Sequence, residues 1–211
     1  TEYSQNLYPK SDSSLIEKFE KMLKLRQAYF FDVEEIESLA DFYLEKSNHP
    51  KAKLAVNHGL SIFTDSSTLL LKKAQIFAAS KESTKALEIL EFLEPAEPTN
   101  TDMLLFKAVV HRNLSDHEGT KSCLLKALER AHENREEIFM DVAYEQQIAN
   151  DYKGAIDSLK ESLKINPNHE ASLFELSYCY EMADQIDLGV EFFQKYLNKF
   201  PYNFVGWYNL A

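Results

Sequence analysis

The chain has 211 residues and carries 34 acidic against 23 basic side chains, a formal net charge of −11. This balance argues against a nucleic-acid-binding protein, because phosphate binding requires clustered lysine and arginine. Five glycines are present, about a third of the usual ~7%, which disfavours folds rich in glycine-dependent turns. With 45% hydrophobic residues the chain has enough apolar side chains for a core, and no apolar run reaches the length of a membrane span.

The first segment, residues 1–32, is predicted to contain a tail over residues 1–12 and then one helix. Ser14 and Glu17 have the spacing of a capping box, and a helical apolar pattern continues to about Phe31. Two interpretations of this helix stay open. It is either the second half of a helix pair that begins upstream, or a cap over the helix pairs that follow.

From residue 33 onwards, small residues recur every 34 or 35 positions. The first series consists of Ala40, Ala74, Ala108, Ala143, Ser177 and Ala211, and the second, twelve residues further on, of Ala52, Ala86, Thr120, Ala155 and Gly189. Large apolar residues precede the first series by four positions and follow the second by four. Four series in one register indicate an internal repeat.

Each repeat is predicted to be a pair of antiparallel helices. Apolar residues at helical spacing mark the buried stripe of each helix, as with Leu173, Leu176 and Tyr180. A small residue at the centre of each stripe lets the two helix axes approach closely. We expect an all-α fold, an α-α superhelix, with five full repeats over residues 33–66, 67–100, 101–135, 136–169 and 170–203.

The third repeat and the last residues depart from this regularity. Residues 101–135 contain one extra position, and we expect the second helix of that repeat to extend to about Asn134. Residues 204–211 begin a sixth copy, in which Trp207, Leu210 and Ala211 take the repeated positions. Because a solenoid that ends there would leave an apolar face uncovered, we expect the chain to be a fragment of a longer protein.

The pattern resembles that of the tetratricopeptide repeat family. Residues 170–203 supply the family's positions with Leu173, Leu176, Ser177, Tyr180, Gly189, Phe193, Tyr196 and Pro201. Other copies depart from it, since Lys73, Lys107 and His111 stand at places that are usually apolar and Thr64 stands where proline is usual. The resemblance covers residues 33–211. It implies a right-handed superhelix whose first helices line a concave, peptide-binding face.

The residues expected on that face follow from the family's register. They lie one and five positions after the large residue of each first helix, and two neighbours extend the last rows. The predicted groove residues are Glu37, Asp41, Gln75, Met140, Tyr144, Ile148, Phe174, Tyr178 and Met182. For Tyr144 and Tyr178 an alternative stays open, in which the rings only pack between adjacent helices. At the equivalent positions Leu105 and Val109, packing is the favoured interpretation.

The groove is therefore predicted to begin acidic and to become apolar and aromatic. Chaperone-binding members of the family hold a peptide carboxylate with Lys, Arg and Asn on this face, whereas this chain has Glu37, Asp41 and Gln75 there. The expected partner is a protein or a peptide of basic or amphipathic character. Methionine and tyrosine suit such a surface, because methionine adapts its shape and tyrosine combines area with a hydroxyl.

No pattern in the sequence indicates catalysis, a metal site or a cofactor. The glycines form no phosphate-binding loop, and no two histidines stand four residues apart. Cys123 and Cys179 lack CxxC spacing, which favours two reduced, partly buried thiols. We expect a non-catalytic interaction module. Because the sequence shows no leader, we also expect the protein to be cytoplasmic. Two alternatives remain: a structural spacer in a larger multi-repeat protein, or a regulatory region of an enzyme whose catalytic domain lies elsewhere.

Overall fold

The computed structural model describes residues 10–211, so the predicted tail falls outside the described residues as far as Pro9. The described part contains twelve α-helices and no strand, which confirms the all-α prediction. The helices are α1 Lys10–Leu25, α2 Val33–Glu45, α3 His49–Ile62, α4 Ser67–Ala79, α5 Ser83–Leu93, α6 Thr101–Asn113, α7 His117–Arg130, α8 Arg135–Ile148, α9 Tyr152–Ile165, α10 Glu170–Met182, α11 Ile186–Lys199 and α12 Phe204–Leu210.

The helices form two compact units. The first unit extends to Pro98 and contains α1 to α5, and the second unit is Thr99–Ala211 and contains α6 to α12. Within each unit, consecutive helices pack as pairs: α2 with α3 and α4 with α5 in the first, α6 with α7, α8 with α9 and α10 with α11 in the second. Helix α12 packs against both α10 and α11.

Most of the small residues predicted at the helix crossings lie in the core, whereas Ser177 is half-buried and Ala211 is exposed. Ala40, Ala52, Ala86, Ala143 and Ala155 are all fully buried. At Gly189, a Cβ atom would lie only 3.1 Å from the side chain of Tyr180, so even alanine would crowd that crossing. Close approach of the paired helices is thus the physical reason for the repeated small residues.

The turn inside each helix pair contains one residue with a left-handed backbone, and none of these residues is glycine. They are Ser47, Lys81, Ser115, Asn150 and Asp184, with φ between 55° and 62°. Most helices begin at a polar side chain that accepts a hydrogen bond from a backbone amide of the first turn, at Asp32, Asn48, Ser66, Asn100, Asp116, Asp151 and Asn203. Both features recur at the repeat spacing and fix the helix boundaries.

The predicted boundaries of the first helix were wrong at both ends. Helix α1 already begins at Lys10, so Ser14 lies inside it and does not cap it. It ends at Leu25, because Arg26 adopts a left-handed backbone with φ of 53°. Phe31 belongs to the connection and is fully buried, with its ring 5.9 Å from that of Phe19. Phe31 fits the apolar periodicity of a helix because it is buried, although it lies outside α1.

The prediction of a long helix in the third repeat was also wrong. Helix α7 ends at Arg130 after 14 residues, the same length as α9 and α11. The additional residue is accommodated instead in α8, which has 14 residues where α6 and α10 have 13. The left-handed residue Asn134 precedes α8, which separates the two helices. Across residues 10–211, no helix is both long and apolar enough to cross a lipid bilayer.

Candidate functional site

The second unit presents a row of exposed aromatic and aliphatic side chains on its first helices. Tyr144 on α8 is 51% exposed and Tyr178 on α10 is 45% exposed. The exposed fraction is between 40% and 46% for Ile148, Phe174 and Met182. Met140 differs, because it is partly buried against the core of the unit. We define the exposed row as Tyr144, Ile148, Phe174, Tyr178 and Met182.

Tyr144 is held in place by an arginine from the preceding helix pair. The guanidinium carbon of Arg112 lies 5.7 Å from the centre of the Tyr144 ring. Nε of the same arginine donates to Oε1 of Glu145 at 2.8 Å, and Nη2 donates to Oδ1 of Asp141 at 3.2 Å. These contacts connect α6 to α8 and orient the aromatic ring at the surface of the unit.

Glu145 is a buried carboxylate beneath the exposed row. Its side chain is 1% exposed, and its second oxygen lies 2.8 Å from Nδ1 of His117. Burial opposes the charge of Arg112, but the carboxylates of Glu145 and Asp141 outweigh this effect and keep the pKa of the guanidinium above its ordinary value. Two partners therefore compensate the buried charge of Glu145.

Tyr178 has support from α9. Its ring is 6.3 Å from that of Tyr152, nearly perpendicular at 78°. Tyr152 raises the pKa of Tyr178, first by its electrostatic influence and also by a hydrogen bond between the two side chains, so this phenol stays protonated at neutral pH. Between α8 and α10, Gln147 Nε2 donates to Oε2 of Glu175 at 3.0 Å. Neighbouring side chains thus hold the two tyrosine rings of the row in place.

The row extends to two residues that the sequence analysis did not place in the groove. Tyr208 on α12 is exposed, and its ring is 5.8 Å from that of Phe174. It lies one position after Trp207, the large residue of the sixth copy, so the spacing that defines the other groove residues also applies to Tyr208. Val109 on α6 is also exposed, whereas Leu105 packs against the core as expected. The packing interpretation therefore holds for Leu105 and fails for Val109.

The first unit has a different first-helix surface. Glu37 and Asp41 lie on α2 and Gln75 on α4, with Asp41 exposed and the other two half-buried. Lys72 Nζ from α4 donates to both carboxylate oxygens of Asp41, at 2.8 and 3.1 Å. One of the two carboxylates expected to make this surface acidic is therefore paired with a lysine 31 residues away in the sequence.

A serine–histidine–glutamate chain joins three helices of the second unit. His169 Nε2 lies 3.0 Å from Oε1 of Glu137, and its Nδ1 lies 2.6 Å from Oγ of Ser172. Ser172 and its neighbour Ser162, 2.9 Å away, are both fully buried. A substrate carbonyl has no access to either hydroxyl. These hydrogen-bonded side chains therefore form a polar contact between α8, α9 and α10.

The remaining candidates for chemistry are separated or buried. Cys123 and Cys179 are buried and not joined by a disulfide bond, and burial, followed by the charge of Glu175, raises the pKa of Cys179 to about 11. Such a thiol is a poor nucleophile at neutral pH. Within residues 10–211, no group of three histidine, cysteine, aspartate or glutamate side chains has the arrangement of a metal site.

Comparison with known proteins identifies the fold. No model of a known protein family matches the sequence. Over 127 residues, 60% of this chain, the sequence is 26% identical to anaphase-promoting complex subunit CDC16 of Saccharomyces cerevisiae, and the match spans 15% of that protein's length.

Solved structures share the architecture at low sequence identity. MamA aligns with a TM-score of 0.65 at 16% identity, covering 78% of this chain and 89% of MamA. YrrB, described as a TPR protein with an unusual peptide-binding site, aligns with a TM-score of 0.62 at 13% identity, covering 93% of this chain and 97% of YrrB. The chain therefore has the tetratricopeptide-repeat fold, as the sequence predicted.

Proposed function

We propose that the chain is a non-catalytic protein-interaction module and that the exposed row of the second unit binds an amphipathic peptide. One observation carries this proposal: aromatic and aliphatic side chains lie exposed on α8 and α10, although neighbouring side chains hold the rings of Tyr144 and Tyr178 in place. Water-exposed apolar surface of this kind is unfavourable in an isolated protein and favours association. Rigid aromatic side chains also lose little conformational entropy on binding.

The chemistry of the row indicates the kind of peptide. Met182 supplies adaptable apolar area and Ile148 a stiffer branched surface, and the hydroxyl group of Tyr144 supplies a hydrogen bond at the edge of the row. Asp141 beside Tyr144 accepts from Arg112, but its side chain is still 45% exposed, so a basic group that flanks the apolar anchors of the peptide can approach this carboxylate. We therefore expect the peptide to combine apolar anchors with a positive charge.

A panned library of random peptides displayed on phage provides the test, because no partner needs to be assumed. A peptide enriched on the unaltered protein would be labelled and its affinity measured by fluorescence anisotropy. We expect Tyr144→Ala with Tyr178→Ala to weaken binding by about 30-fold or more, since an aromatic residue at the centre of an interface contributes on the order of 2 kcal/mol.

The matched control removes two exposed aromatic side chains outside the row. Phe92 on α5 and Tyr202 after α11 are 72% and 98% exposed, so Phe92→Ala with Tyr202→Ala changes the apolar surface to a similar degree. This control should bind the peptide as the unaltered protein does. Equal affinity of the Tyr144 and Tyr178 variant for the selected peptide would refute the assignment of the row as a peptide-binding site.

A second candidate function is that of a scaffold segment within a larger assembly. The likeness to a subunit of the anaphase-promoting complex supports it, since the match corresponds to 15% of that subunit. In this case the exposed row would contact a folded protein surface. Panning would then yield no peptide whose binding depends on Tyr144, while the same double variant would weaken the capture of the folded partner.

A further inference from the structure

The second unit has another surface with apolar side chains, which differs from the exposed row because lysines surround it. Between α9 and α11, the second helices of two successive pairs, lies an open cavity of about 490 Å³. Its apolar lining consists mainly of Leu163, Phe192, Tyr196 and Phe200. None of these residues belongs to the row defined above, so the cavity is not explained by the proposed peptide site.

The floor of the cavity is formed by aromatic rings in mutual contact. The rings of Phe192 and Tyr196 are stacked, with centroids 6.3 Å apart, and Phe200 lies 5.0 Å from Tyr196. The Tyr196 hydroxyl donates to the carbonyl oxygen of Pro167 at 2.7 Å. Because that donor is already used, the floor offers a ligand mainly ring surface and suits an apolar group.

Four lysines surround this floor, in a chain whose net charge is −11. They form two pairs, each spaced by four residues along one helix: Lys160 with Lys164 on α9, and Lys195 with Lys199 on α11. Four residues correspond to a rise of about 6 Å along a helix. Two short rows of positive charge therefore border an apolar floor.

The lysines are available to a ligand. Lys164 and Lys195 pair only with the exposed Glu161 and Glu191 of their own helices, and such surface pairs are weak and easily exchanged. Lys160 Nζ lies 5.3 Å from the centre of the Tyr180 ring and 5.9 Å from that of Phe192, so its present contacts are with ring faces and its charge has no carboxylate partner among the described residues. Lys199 also lines the cavity, and it forms no ion pair with the residues that the structure describes. A ligand carboxylate would therefore displace little.

We propose that this lysine-rimmed cavity binds an acidic peptide segment of a partner protein, which inserts an aliphatic or aromatic side chain between α9 and α11. Two rows of two cations match several carboxylates spaced along a peptide, whereas a single-headed lipid would engage one row. The apolar floor stays exposed to water unless the ligand places an apolar side chain on it, so carboxylates alone are not expected to bind tightly. The cavity thus selects against the basic peptide expected at the exposed row.

The proposal is tested with a fluorescein-labelled peptide in which two leucines are flanked on each side by two glutamates. We expect saturable binding that weakens with salt and falls by about tenfold or more in Lys164→Glu with Lys199→Glu. Lys21→Glu with Lys24→Glu on α1 is the matched control, because both lysines are exposed and the change in charge is the same. This control should retain affinity within about threefold.

Two further probes examine the anchor and the class of ligand. A peptide with serines in place of the leucines should bind about tenfold more weakly, as two lost apolar contacts imply. Equal binding of the serine peptide, or equal binding by the Lys164 and Lys199 variant, would overturn the proposal. So would lysine-dependent binding of dodecanoate in the absence of peptide binding, because the ligand would then be a lipid-like carboxylate.

Discussion

The first-helix surfaces of the two units place charge and apolar groups in opposite positions. In the first unit, the ion pair between Lys72 and Asp41 lies at the surface, and the Asp41 side chain is 54% exposed. In the second unit, Tyr144 and Tyr178 occupy the positions that correspond to Asp41, and the carboxylate of Glu145 lies inside. The same backbone repeat thus supports a polar surface in one unit and an apolar one in the other.

The comparison shows what the repeat determines and what it leaves to individual residues. Two positions after the small residue of each first helix, the chain has Phe42, Ile76, Val110, Glu145 and Cys179. Ile76, Val110 and Cys179 are buried apolar or weakly polar side chains, and only Glu145 brings a charge to this position. Its burial is possible because Arg112 and His117, far away in the sequence, both contact it.

Among the variants that test this difference between the units, Arg112→Met should have the largest effect on stability. Arg112→Met leaves Glu145 with His117 as its partner and should lower the free energy of unfolding by about 3 kcal/mol, as expected when a buried ion pair loses one member. Urea unfolding followed by the fluorescence of Trp207, the single tryptophan, reports on the second unit. Lys72→Met in the first unit, with unfolding followed by far-UV circular dichroism, should cost about 0.5 kcal/mol, because the Asp41 carboxylate stays solvated.

A double variant separates the buried charge from the packing of Arg112. Glu145→Val introduces the residue that Val110 provides at the equivalent position. Arg112→Met combined with Glu145→Val should recover most of the lost stability, since no unpaired charge remains in the interior. A double variant as unstable as Arg112→Met alone would show that the loss came from the stem of the arginine and from its contact with Tyr144.

The sequence predicted the features that depend on spacing along the chain. Helix pairs and the buried positions of Ala40, Ala143 and Ala155 follow from the helical period, because each helix must bury one stripe against its neighbour. Helix ends were less predictable. The left-handed residue Arg26 and the buried Phe31 depend on the packing of α1 against α2, which no local pattern expresses.

The candidate site was predictable only in part, and the reason is again the distance between partners. The exposure of Tyr144 and Tyr178 agrees with their register on the first helices. The neutralisation of Asp41 by Lys72, the burial of Glu145 and the lysine-rimmed cavity depend on residues some 28 to 35 positions apart that meet only in the folded chain. The charge of a segment therefore did not predict the charge of its surface.

Alkaline pH provides a second way to sharpen the comparison. Both cysteines belong to the second unit, and burial raises the pKa of Cys179 from 9.0 to about 11. The unfolded chain therefore releases this proton before the folded chain does, and stability should fall above pH 9 by up to about 1.4 kcal/mol per pH unit. In the first unit, burial and Glu20 raise the pKa of Tyr43, whose ordinary value of 10.0 is higher.

The second unit should therefore weaken first as the pH rises. Urea midpoints from Trp207 fluorescence at pH 8, 9 and 10 measure the effect, and Cys179→Ala provides the control without the titrating thiol. We expect a steeper decline between pH 9 and 10 in the unaltered protein than in this variant. Parallel declines in the two proteins would assign the alkaline instability to other groups.

The smallest expected effect concerns the turns inside the helix pairs, where the two units also differ. Lys81 in the first unit and Asn150 in the second have left-handed backbones, with φ of 62° and 58°. This conformation is strained for lysine, whereas asparagine tolerates it. Lys81→Gly should therefore raise the free energy of unfolding by about 0.5–1 kcal/mol, and Asn150→Gly by only about a few tenths.

Thermal unfolding followed by far-UV circular dichroism compares the two variants. Because the backbone geometry is nearly the same in both turns, an equal gain would mean that the side chains do not account for the difference, and a loss in Lys81→Gly would mean that the greater freedom of glycine in the unfolded chain outweighs the relieved strain.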